Sequence, residues 1–101
     1  MKYPIVSDAD VAIGINQIPP ELLKEAEDKG FDEHSNPYNK LFNELFFRGG
    51  QLNWKPEVSM GQRELGGRFL KSIMRSFSPK HEDKEMVCAY ILSELVTVKE
   101  G

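Results

Sequence analysis

Residues 36–50 of this chain, NPYNKLFNELFFRGG, carry the signals of a complete helix from its first residue to its last. Asn36 suits an N-cap, and Pro37 suits the first helical position, where its missing N–H needs no partner. Arg48 followed by Gly49 indicates the C-terminus, where a cation and a left-handed glycine are both favoured. The stretch therefore predicts a helix over 37–48. Its apolar residues follow the i, i+3, i+4, i+7, i+8 spacing of one face, namely Tyr38, Leu41, Phe42, Leu45 and Phe46.

A second helix is predicted over 60–77. Ser59 and Gln62 have the spacing of a capping box. Apolar residues then recur every four positions, and Gly66 lies in the middle of that face. Because a mid-helix glycine costs about 1 kcal/mol against alanine, Gly66 indicates close approach of another backbone or a bulky ring, for which Trp54 or a phenylalanine of 37–48 is a candidate. The alternative is that Gly66 breaks the helix. The recurring apolar residues are Leu65, Phe69, Ile73 and Phe77.

Proline marks two further helix starts. Pro19-Pro20 opens a helix over about 19–29, and Ser78-Pro79 opens another over about 79–97. The last helix is apolar around much of its surface, so it is either central in the domain or shared with a partner. Residues 1–18 are predicted to be an irregular or helical N-terminal arm, since Ser7 and the acidic residues after it suit a helix start.

The composition is that of one ordinary domain. The chain has 101 residues, 40% of them hydrophobic and 29% charged, so a single core over 1–101 is expected. The prediction is an all-α bundle of about four helices. The single cysteine, Cys88, cannot form an internal disulfide or a cysteine-based zinc site, and its apolar surroundings predict a buried thiol. No signal peptide or membrane-spanning stretch is evident, so a cytoplasmic location is expected.

The charges are distributed unevenly. The net charge is −3, yet residues 48–80 hold seven lysines and arginines against two glutamates. Arg68, Lys71 and Arg75 form one stripe of the predicted helix, which suggests nucleic-acid binding. The alternative is a solvated face that Glu64 partly neutralises.

Aromatic and basic neighbours suggest a protein interface. Phe47 and Trp54, beside Arg48 and Lys55, are the aromatics most expected near a surface, whereas the others are expected in the core.

The polar residues around the two histidines offer the only hint of chemistry. His81 and Glu85 are four residues apart, and a metal site would need the fold to bring His34 beside them. An exposed first helical turn is the simpler interpretation. No phosphate loop, nucleophile elbow or zinc-ligand spacing occurs, so we predict no catalytic residue, no metal and no cofactor.

Residues 68–85, RFLKSIMRSFSPKHEDKE, together with the block from Leu41-Phe42 to Phe46-Phe47-Arg48-Gly49-Gly50, resemble small uncharacterised proteins encoded by bacteriophages and prophages. The resemblance implies a bacterial or viral setting and an accessory role, and it implies no site residues.

The sequence thus predicts a non-enzymatic interaction protein. We expect it to bind a protein partner or itself, as a homo-oligomer, through an aromatic and basic surface. Nucleic-acid association is the alternative, and a small metal-dependent enzyme is a third. The residues predicted to bind a protein or nucleic acid are Arg48, Trp54, Lys55, Arg68, Lys71 and Arg75.

Overall fold

The protein is an all-α bundle, as predicted. A computed structural model describes residues 6–77 and 80–98. Within these ranges there is no β-sheet, and the only extended pairing is an isolated bridge between Trp54 and Val96. The helices are α1 (Asp8–Asn16), α2 (Pro20–Asp28), α3 (Pro37–Arg48), α4 (Met60–Arg75) and α5 (His81–Leu95).

Helix α5 is the centre of the bundle. It packs against α2, α3 and α4, whereas α1 packs against α4. Residues 86–92 are all buried, as the apolar character of this helix predicted. Glu85 is also buried, which corrects the expectation that it lies in an exposed first turn. The described helices contain none that is long and apolar enough to cross a membrane.

Helices α4 and α5 are shorter than predicted. Helix α5 ends at Leu95 rather than at position 97, because Val96 is extended at the C-cap. Helix α4 ends at Arg75 rather than at position 77, because Ser76 is extended at the C-cap. Phe77 is therefore exposed instead of extending the apolar face of α4, which corrects the prediction. Helix α5 begins at His81, with Lys80 as an N-cap whose side chain makes no capping bond. The predicted cap at Ser78-Pro79 lies outside the described residues.

The N-terminal arm is helical over much of its described length. Ser7 caps α1 in a reciprocal capping box with Asp10. Ser59 accepts a hydrogen bond from the backbone of Gln62, as the capping-box spacing predicted. The Gln62 side chain does not complete that box. Its amide donates to Val6 O and accepts from Val6 N, each at 3.1 Å, so it ties the arm to α4.

Gly66 lies within an unbroken helix, so the alternative of a helix break is wrong. The side chain of Leu95 fills the space beside it, with the Trp54 ring at the edge. A close approach is therefore present, but its main partner is an aliphatic side chain and not the predicted backbone or ring; Trp54 lies only at the edge and no phenylalanine of α3 is among the nearest atoms. The Trp54–Val96 bridge brings both groups to this position, because it holds the 49–58 connection against the end of α5.

Candidate interaction surface

Three helix termini meet at one end of the bundle. The last turn of α3 lies beside the first turn of α5, where the rings of Phe46 and His81 are 5.1 Å apart between centroids. The last turn of α4 adjoins the same place, because Lys84 Nζ donates to Met74 O at 3.0 Å. Chain segments from three helices therefore present their side chains at this end.

Aromatic side chains are exposed there. Phe47 is 72% exposed and Phe77, just after α4, is 83% exposed. Phe46 is partly exposed and meets Phe47 edge-to-face at 4.9 Å, a favourable aromatic geometry. The prediction that Phe47 lies near the surface is confirmed, whereas the prediction that Phe46 and Phe77 lie in the core is wrong. We call Phe46, Phe47, Phe77 and His81 the aromatic end.

Basic residues are close neighbours in sequence of the residues of the aromatic end. Arg48 follows Phe47, Arg75 precedes Phe77 by two residues, and Lys80 precedes His81; all three are exposed. Three carboxylates of α3 and α5 line a groove and a pocket of the surface. Glu44 lines a groove of about 630 Å³ beside residues 51–53, and Glu82 and Asp83 line a separate pocket of about 250 Å³.

A buried carboxylate lies beneath this surface. Glu85 is only 4% exposed, and three side chains donate to it. His34 Nδ1 lies 2.8 Å from Oε2, Asn39 Nδ2 donates to the same oxygen at 3.0 Å, and Asn43 Nδ2 donates to Oε1. Burial alone would raise the pKa of Glu85, but the hydrogen bonds from Asn39, Asn43 and His34, together with the charge of His34, outweigh it. The pKa of this carboxyl therefore lies below its ordinary value.

Asn43 links this carboxylate to the aromatic end. Its amide nitrogen donates to Glu85 and to Asn39 O, so its Oδ1 is the atom that faces His81 Nε2, at 3.1 Å. Since Oδ1 can only accept, Nε2 of His81 carries a hydrogen. The same ring packs on Phe42, Phe46 and Phe47, with centroid separations of 5.8, 5.1 and 6.0 Å. His81 is therefore fixed in orientation from α3.

His34 and His81 join one hydrogen-bonded network on opposite sides of Glu85 and Asn43. Among residues 6–77 and 80–98, no three His, Cys, Asp or Glu side chains are placed to hold a metal ion. The network connects α3, α5 and the loop between α2 and α3.

Trp54 and Lys55 are engaged within the fold. Trp54 is half-buried in the bridge to Val96. Lys55 donates through Nζ to Ser93 O at 3.1 Å and through its backbone N–H to Leu95 O at 3.0 Å. Both residues hold the 49–58 connection on α5, so the structure does not place them with Arg48 in one surface.

The basic stripe of α4 is partly neutralised. Arg68 pairs with Asp8 of α1 at 3.2 Å, rather than with Glu64 of its own helix. Lys71 and Arg75 are exposed and form no ion pair with any described residue. Of the six predicted binding residues, Arg48 and Arg75 lie at the aromatic end.

The sequence analysis did not predict the two asparagine side chains of this network. Asn39 and Asn43 are four residues apart, on the same side of α3 as the core residue Phe42, and Asn39 is fully buried. Two asparagines at this spacing, next to an apolar face, were the available signal of a buried polar partner.

No known protein family, curated protein or solved structure matches this chain. Its functional interpretation therefore depends on its own residues.

Proposed function

We propose that this chain is a non-enzymatic interaction protein that binds another protein through the aromatic end. The observation that carries the proposal is the exposure of Phe47 and Phe77 at one end of the bundle. Burial of a phenyl ring against a partner is worth about 1.5–3 kcal/mol, so these rings are costly to leave in water and favourable to cover. Basic neighbours such as Arg48 and Arg75 fit the composition of protein interfaces, where aromatic residues and arginine are enriched.

The rigidity of the surface also supports binding. His81 is held by Asn43 from one side and by phenyl rings from the other. A partner that docks there meets an ordered ring cluster and does not have to order it, which reduces the entropic cost of association. The role we propose is that of a cytoplasmic accessory protein, in keeping with the bacteriophage and prophage resemblance of residues 41–50 and 68–85.

Site-specific photo-crosslinking tests the proposal. The photoreactive amino acid p-benzoylphenylalanine replaces Phe47 in one variant and Ile15 in the other, and both are expressed in the source cell. Ile15 is an exposed apolar residue of α1, a helix that packs on α4, so it is a matched control. We expect defined protein adducts from position 47 and none from position 15.

The adducts also show which protein occupies the aromatic end. Mass spectrometry identifies the crosslinked chain as a second copy or as a different protein. If position 47 gives no adduct, or gives the same adducts as position 15, the aromatic end is not a binding surface and the proposal fails.

A further inference from the structure

We infer that the occupant of the aromatic end is an acidic and apolar segment of a partner protein. This inference rests on the proposed function and specifies the chemistry of the partner.

The cations next to the aromatic end indicate an acidic partner. Each exposed phenylalanine there has a cation within two residues in sequence: Arg48 beside Phe47 and Arg75 beside Phe77. Lys80 adds a third exposed cation next to His81. A segment with apolar side chains flanked by carboxylates would cover the rings and pair with these cations, whereas a basic segment would be repelled.

The carboxylates nearest in sequence line a groove or a pocket or are buried. Glu44 lines the groove beside residues 51–53, and Glu82 lines the pocket with Asp32 and His34. Glu85 is buried and engaged by three donors. The same reasoning disfavours a second copy docked end to end, since that arrangement would oppose like charges.

Fluorescence anisotropy with three labelled peptides tests the inference on the full chain. The peptides share the same leucine and phenylalanine positions and differ only in their charged positions, which are glutamate, glutamine or lysine. We expect the glutamate peptide to bind at least about tenfold more tightly than the lysine peptide. The double variant Arg48→Glu with Arg75→Glu should reverse this order. The control, Lys24→Glu with Lys71→Glu, makes the same change in net charge on other exposed positions and should not. Circular dichroism of each variant verifies that it is folded.

The outcomes separate the inference from the proposed function. Equal binding of all three peptides, abolished by Phe47→Ser with Phe77→Ser, removes the acidic partner and leaves an aromatic binding surface. Absence of glutamate-peptide binding, or binding to phosphatidylglycerol vesicles in its place, overturns the inference directly. Peptide binding that survives the double serine variant contradicts the proposed function itself.

Discussion

Leu95 occupies the space where a side chain on Gly66 would begin. A β-carbon at position 66 would lie 2.5 Å from Leu95 Cδ1, well inside contact distance, and 4.0 Å from Trp54 Cζ3. Leu95 is itself buried, so it cannot swing into solvent. The neighbouring Gly67 has no atom within 4 Å of the equivalent position.

Alanine substitutions at these two glycines form a matched pair. Gly67→Ala should stabilise the protein by about 1 kcal/mol, because alanine is the better helix former and meets no neighbour. Gly66→Ala gains the same helix propensity, but overpacking against Leu95 lowers its free energy of unfolding by about 1–3 kcal/mol. Urea unfolding should therefore place Gly66→Ala below Gly67→Ala by about 1–3 kcal/mol. Equal stabilities would show that Leu95 moves aside without cost.

Substitution of Glu85 should weaken the contact between α3 and α5. In Glu85→Gln the new amide group brings a donor to a place where His34, Asn39 and Asn43 already donate. A mismatched buried polar group costs about 1–3 kcal/mol, so we expect a loss of this size at neutral pH in chemical unfolding. Glu82→Gln, on an exposed residue of the same helix, serves as the control and should change stability by less than about 0.5 kcal/mol.

The same carboxylate should contribute to acid sensitivity. Because the pKa of Glu85 is lower in the folded chain than its ordinary value, the unfolded chain takes up this proton first as the pH falls. Its stabilising contribution is complete above the ordinary glutamate pKa and is lost as the pH falls through the lower folded value. Unfolding free energies measured from neutral pH downward should decline less steeply in Glu85→Gln than in the wild type. Parallel curves would contradict the assignment.

Cys88 should resist thiol reagents while the protein is folded. Its side chain is fully buried in α5, and this burial raises the pKa of the thiol far above its ordinary value, with Lys84 opposing the change only in part. Because the thiolate is the reactive form, labelling should require opening of the bundle. We expect labelling rates to rise with urea in parallel with unfolding and to be faster in Glu85→Gln. Rapid labelling of the native protein would exclude this burial.

The ion pair between Arg68 and Asp8 should contribute little to stability. Both side chains are largely exposed, and such pairs are worth about 0.2–1 kcal/mol at most. Arg68→Ala should therefore lower the unfolding free energy by less than about 1 kcal/mol, and high salt should reduce that difference. A larger loss would show that α1 depends on this pair for its position on α4.

The sequence predicted the bounds of a helix best where both of its ends carried capping residues. The asparagine cap, the proline and the terminal glycine predicted α3 with the bounds that the structure has. The end of α4 was missed because Phe77 continues the apolar spacing, although Ser76 has already left the helix. Periodicity records which face a residue would occupy if the helix continued, and it does not determine where the backbone turns.

The sequence also could not predict the hydrogen bonds between residues that are distant along the chain. The possibility that His34 meets His81 was foreseen, but the amides between them were not. Gln62 fitted a local capping box in spacing, yet its side chain bonds to Val6, fifty-six positions away in sequence. A short-range pattern shows which hydrogen bonds are available, and the tertiary fold selects among them.

The order of the helices along the chain has a consequence for biosynthesis. Within the described residues, α2 and α3 pack on no helix except α5, and α5 is the last of the five to leave the ribosome. Until it emerges, the apolar faces of α2 and α3 have no helical neighbour to cover them. Helix α1 can pack on α4 before that point, but α2 and α3 join the folded domain only when the final helix emerges.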